Sequence, residues 1–314
     1  MIKYILKKSS YGIVVLGLVV LIISSIIYLS PVDSATSTMG QMTTEEMMDV
    51  KRKELGLDQP FHIQVFRYFK DILPFGIVQS GSVEESKYDH TKIFSFGNDN
   101  HFVFKIPYLK RSFQTNEKVH VILAKAIPQT FILALSAILL ATFFGIILGI
   151  IAALSKNSWL DNTAVVGSVM GYSLPSYVSA MFLALIFGFY LGDWTNLNVR
   201  GSLVDVDNFG DEKIFWKNLI LPTLALGIRP VAIITQLTRS AMLDVLSQDF
   251  IRTAKAKGLS KIKIVVKHAL RNALNPVVTA ISGWFAALLA GAFFVENVFP
   301  VSYTHLTLPT KRIV

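Results

Sequence analysis

The sequence predicts an all-α, polytopic membrane protein with five transmembrane helices and an extracellular insertion of α/β or irregular structure. Three observations lead there. Hydrophobic residues make up 52% of the 314, and the mean hydropathy is +0.51; soluble domains average about 45–50% apolar. Five apolar runs are long enough to cross a hydrocarbon core of about 30 Å. The formal net charge of +9 is not spread evenly. It gathers at the N-terminus and in one loop between two of the apolar runs, which argues for a membrane surface rather than nucleic acid.

Residues 1–32 are read as an N-terminal transmembrane helix. Lys3, Lys7 and Lys8 precede an uncharged run of 24 residues, Ser9 to Val32. At about 1.5 Å per residue this run spans roughly 36 Å. Signal-peptide apolar segments are shorter, about 7–15 residues, so a retained span with its N-terminus inside is favoured. Residues 33–120 then lie outside, with twelve acids and eleven Lys or Arg. Thr43 and Glu46 have capping-box spacing and Gly56 a stop signal around a short helix. From Phe75 to Lys118 the mixture of Gly, Asn, Asp and aromatic residues suggests short strands and loops.

A core of further spans is placed at 121–300. Its first span is Ala126–Ser155, in which Ala137, Ala141, Gly145, Gly149 and Ala153 recur at every fourth residue. Small residues on one helix face admit a close neighbour. A turn, Lys156–Asp161, leads to a span within Asn162–Gly192. There Pro175 removes a backbone donor and is expected to kink the helix. An acidic outer loop, Asp193–Lys217, precedes a span from about Asn218 to Leu237. This span carries Arg229 beside Pro230. An arginine at membrane depth faces a cavity or a partner rather than lipid. Arg229 and Pro175 are therefore the candidates for pathway or gating residues. Pairing of Arg229 with Glu296, or with a partner's helix, are the alternatives. The last span is Asn275–Val295.

The charged loop between the last two spans organises the rest. From Arg239 to Arg271 it holds eight Lys or Arg against two acids, the mark of a cytoplasmic face. Its composition favours helix, and Gly258 and Ser260 interrupt it, giving helix, glycine turn, helix. The pattern Phe250-Ile-Arg-Thr-Ala-Lys-Ala-Lys-Gly258, followed by His268-Ala-Leu-Arg-Asn-Ala-Leu-Asn-Pro276, resembles the EAA loop of ABC-importer permeases. It is most similar to the dipeptide, oligopeptide and nickel subfamily. Ala254 and Gly258 match the motif, Thr253 takes the first alanine position and Arg252 that of the glutamate.

The resemblance implies a permease subunit of an ATP-driven importer, most simply for peptides, forming half of a translocation pathway. It implies a coupling loop at 239–274, docking a separate ATPase through 250–276, with Arg252, Thr253, Ala254, Gly258, Leu259 and Ser260 at the contact. The partners implied are a homologous second permease, two ATPase subunits and an extracellular substrate-binding protein, besides membrane lipid; no nucleic acid is expected. The family's sixth span is missing: residues 301–314 are too short and polar to cross, and are read as a truncated or non-native tail.

Other chemistry is not encoded. The zero cysteines exclude disulfides and thiolate sites. There is no phosphate-loop motif, so ATP hydrolysis is expected on another chain and this one is not an enzyme. No catalytic residue, metal site or cofactor is expected. A nickel or other small-solute importer of the same family is one alternative. A secondary transporter or channel is another, though it should carry intramembrane carboxylates or histidines. A membrane anchor with an external interaction domain is the third.

Overall fold

The computed structural model describes residues 2–29, 59–82, 87–96, 99–112, 117–198, 203–206 and 212–299. The expected short helix between Thr43 and Gly56 and the tail 301–314 lie outside the described residues. Two compact units are present, Met1–Ala124 and Lys125–Val314.

In the first unit α1 (Ile2–Leu29) exposes its apolar side chains on all sides, as a helix in lipid does. Helix α2 (Phe61–Ile72) meets it, with the Tyr28 and Phe61 rings 5.1 Å apart. The region expected to hold strands forms an antiparallel sheet of β1 (Phe75–Gln79), β2 (His90–Phe96) and β3 (Asn100–Lys105), in the order β1-β3-β2. One face buries Val78 and Val103 against Tyr88. Lys105 is also buried on this face. Its Nζ donates to the Lys70 carbonyl at 2.9 Å and lies 3.6 Å from the centre of the Tyr88 ring. Those contacts offset the penalty of burying a cation. The buried Asp71 carboxylate accepts from Lys87 Nζ at 2.8 Å and Tyr88 Oη at 2.6 Å. Nearby, Lys118 Nζ donates to both oxygens of Asp89, at 2.7 and 2.6 Å.

In the second unit α3 (Val119–Leu154, from Lys125 onward) packs through its small-residue stripe. Ala137, Ala141, Gly145, Gly149 and Ala153 are all buried. Their neighbour is α7 (Lys217–Leu246). A Cβ on Gly145 would stand 2.7 Å from Ile234, and one on Gly149 would stand 2.5 Å from Thr238 Cβ and 2.8 Å from the Thr235 carbonyl. The stripe is therefore a helix-packing surface within the chain, in keeping with close contacts in membrane bundles.

The span expected to kink at Pro175 is instead broken. Helix α4 (Trp159–Ser173) stops, Leu174 turns extended, and Pro175 caps α5 (Ser176–Leu183), which continues as a π-helical segment, Ala184–Tyr190. The two arms meet at 103°. A proline alone bends a helix less. Here Leu174 leaves the helical region, as residues before proline tend to, and a new helix starts after it. A short helix, α6 (Gly192–Thr195), and a hairpin of β4 (Val204–Val206) and β5 (Glu212–Ile214) complete the loop to α7.

After α7 come α8 (Asp249–Ala256) and α9 (Lys261–Lys263), which passes through a π-helical segment, Ile264–Leu270, into α10 (Arg271–Val298). The expected second helix of the basic loop is thus the start of the last span, which begins at Lys261 rather than Asn275. At the far end of α10 the buried Glu296 accepts from Thr130 Oγ1 at 2.7 Å, tying α10 to α3. Among the described residues four helices are long and apolar enough to cross a membrane, or five if the bent α4–α5 pair is one span.

Candidate functional site

The basic elbow is built from its apolar side. On α8, Ile251 and Ala254 are buried in a cluster with Ala153, Met242, Val245, Ile264, Ala269 and Ala273. Residues three apart share a helix face, so the opposite face, with Arg252, Thr253 and Lys255, is exposed. The Asp249–Arg252 pair at 3.3 Å is also exposed and contributes little. Ala254, expected at a contact with another subunit, is buried against the chain's own core. Its small size lets α8 lie flat on the base of α7 and α10.

The end of α8 is fixed by Gly258. The Gly258 N–H donates to the Lys255 carbonyl at 3.0 Å, and the Leu259 N–H reaches back to the Ala254 carbonyl at 3.3 Å. Leu259 packs on the cluster that holds Ala254. This is a Schellman ending, and it requires a left-handed residue. Gly258 supplies it with φ of +75°. A Cβ there would meet nothing within 4 Å, so the glycine serves backbone conformation rather than space. The Ser260 carbonyl then accepts from the Ile264 N–H at 3.0 Å, beginning the next helix. Arg252, Thr253, Gly258 and Ser260 are exposed and Leu259 half-buried.

The base of α7 is locked to the head of α4. Arg239 Nε and Nη2 both donate to the Asp161 carboxylate, the second at 2.8 Å. Asp161 is buried, and it also accepts from the Asn157 backbone N–H at 2.9 Å. The sequence showed Asp161 and Arg239 only as a turn residue and one of eight loop cations. An acid directly after a turn and an arginine at a helix base were the available signal.

Arg229 lies in α7, and the structure brings it to Tyr172, three residues before Pro175. Its guanidinium carbon is 5.3 Å from the ring centre. Its Nε is buried with no hydrogen-bond partner. The expected alternative, a pair with Glu296, is not formed among the described residues. Glu296 is held by Thr130. The contact of Arg229 with Tyr172 was not foreseen.

Helices long and apolar enough to cross a membrane, packed together with a basic elbow at one end, define an integral membrane protein. The comparisons name the group. The chain belongs to the family of binding-protein-dependent transport system inner membrane components: that family's model matches residues 145–310, and the model of its N-terminal region matches residues 1–134. It is thus a multi-pass protein of the inner membrane.

The chain is 41% identical to the dipeptide transport system permease protein DppB of Bacillus subtilis over 186 residues. That match covers 59% of this chain and 56% of the relative. The chain is 32% identical to the glutathione transport system permease protein GsiC of Salmonella paratyphi A over 299 residues, covering 95% of this chain and 83% of the relative. It is also 32% identical to the di/tripeptide transport system permease protein DppB of Pseudomonas aeruginosa over 315 residues, covering 95% and 84%.

Proposed function

We propose that this chain forms half of the translocation pathway of an ATP-driven importer for short peptides. The printed names of its relatives, permeases for dipeptides, tripeptides and glutathione, support that substrate class. ATP is hydrolysed on separate subunits. The assembled importer contains a second, homologous permease, two ATPases and an external substrate-binding protein. The N-terminus and the elbow lie on the cytoplasmic side, as the Lys and Arg excess argues.

The observation that carries the reading is the construction of α8. Its inner face is anchored by Ile251 and Ala254, its end is fixed by the Gly258 turn, and its outer face presents Arg252, Thr253 and Lys255. A helix held in this way passes a push from a docked ATPase to α7 and α10 without absorbing it. The two arms meeting at Pro175, and Arg229 beside them, supply a place where the bundle rearranges between outward- and inward-facing states.

The test is co-purification. An ATPase pair should be recovered with the wild-type chain, and recovery should fall when Arg252 and Thr253 are both replaced by tryptophan. A thiol reagent confined to the outside should not reach a cysteine placed at Lys257. Labelling of that cysteine from outside, or undiminished recovery of the ATPase, removes the proposal.

A further inference from the structure

The arginine midway along α7 is built in but not satisfied. Isolated guanidinium groups in a membrane are expensive and are found facing a cavity or a partner. Arg229 has one aromatic contact and no hydrogen bond or ion pair among the described residues. Only its Nε is sequestered without a partner. The two terminal nitrogens carry no hydrogen bond among the described residues and are not sequestered as Nε is, and these are a pair that can grip a carboxylate in parallel.

The surroundings hold the group in place. Gly171 brings α4 against α7 at this level: a Cβ there would stand 3.3 Å from Ile228 and 3.6 Å from Ala232. That approach sets the Tyr172 ring against the guanidinium. Tyr172 itself is half-exposed. Pro230 follows Arg229 directly and is buried. The α4–α5 break begins at Leu174, two residues past Tyr172. The carboxylate site and the hinge thus share one short stretch of chain.

We propose that Arg229, oriented by Tyr172, is the point at which the pathway receives the free carboxylate of a peptide. This rests on the peptide-importer reading and sharpens it. A zwitterionic peptide crossing the bilayer leaves water, and its carboxylate then needs a donor pair. A guanidinium with spare donors midway along α7 provides one, at the place where the helix pair is already broken. Occupation neutralises the arginine and draws α7 toward whatever holds the rest of the peptide.

The experiment uses the assembled importer, purified in nanodiscs with its companion subunits, and saturation-transfer NMR with dialanine and dialanine amide as probes. Dialanine should give the stronger signal. Arg229→Gln should weaken it about tenfold, the scale of losing a charge-assisted hydrogen bond. Arg229→Lys should retain part of it, and Tyr172→Leu should weaken it without disturbing assembly. Equal signals from the two probes in the wild type, or an unchanged dialanine signal in Arg229→Gln, overturn the proposal. Loss of the second permease from Arg229→Gln but not from Arg229→Lys overturns it too, because the guanidinium then pairs with an acid of that subunit. Should no companion subunit accompany the wild-type chain, the importer reading itself fails. The ratio of the two probes is then read on the chain alone and decides the role of Arg229 separately.

Discussion

Arg239 reaches from the base of α7 to Asp161 at the head of α4 and holds both of its carboxylate oxygens. The acid is buried, while the arginine side chain keeps about a quarter of its surface open, 23%. The pair ties the head of α4 to the base of the elbow-bearing helix.

Removing one partner leaves the other uncompensated. Asp161→Asn keeps the shape but not the charge. It should lower stability, though by less than the loss of a fully buried pair, because Arg239 retains contact with water. Thermal unfolding of the purified protein reads this as a lowered Tm. In a double-mutant cycle with Arg239→Gln the two losses should not add. Additive losses would mean that the two residues stabilise the fold independently.

Gly258 has a left-handed backbone and open space around it. Substitution is therefore penalised by conformation alone. Gly258→Asn should be mild, because Asn tolerates this region, and Gly258→Val severe. Ala falls between, at about 1–2 kcal/mol. On the proposed function, the Val variant should hydrolyse ATP without matching uptake, measured side by side in proteoliposomes. Full coupling in that variant would detach the turn from force transmission.

The α3 stripe predicts a contrast between two glycines. At Gly149 an added methyl meets Thr238 Cβ and a backbone carbonyl, so Gly149→Ala must push two helices apart. A loss of about 1–3 kcal/mol is expected. At Gly167 nothing lies within 4 Å, and Gly167→Ala should be neutral or slightly stabilising through helix propensity. Membrane-fraction yield and Tm of the two variants check this directly.

Outside the spans, the Lys118 hydrogen bonds hold the Asp89 carboxyl below its ordinary value of 3.8. Its folded pKa is depressed, so its contribution to stability is present above about pH 4 and is lost as pH falls through the lower folded value. Titration of a 13C-labelled Asp89 carboxyl should give a higher apparent pKa in Lys118→Met than in the unaltered protein. Identical values would show that Lys118 is not the cause.

The sequence carried much of this fold because membrane burial writes itself as long uncharged runs. The run Ala126–Ser155 takes in most of α3 and ends one residue beyond it, and the fourfold spacing of its small residues marks its packing face. Charge hid the rest. Lys261, Lys263, Lys267 and Arg271 made the start of the last helix look like a separate helix of the basic loop, although it continues into the apolar span. Pro175 announced a bend, but its size depends on Leu174 leaving the helical region, which propensity does not decide. Of the candidate site, Gly258 was legible through its turn chemistry. Ala254 was legible as a small residue but not as one facing inward. The meeting of Arg229 with Tyr172 joins two separate helices, and no spacing in one chain segment announces it. Nor did any pattern foretell a buried cation at Lys105.

The near-touching backbones of α3 and α7 at Gly145 and Gly149 leave no room for one to slide along the other. Whatever travels during a working cycle must therefore carry this pair as a solid piece, and the yielding seams lie elsewhere. Because the chain has no cysteine of its own, thiol staples placed one pair at a time sort the two kinds of seam without prior engineering. A staple across this joint should be silent, and one across the Pro175 corner should arrest the machine.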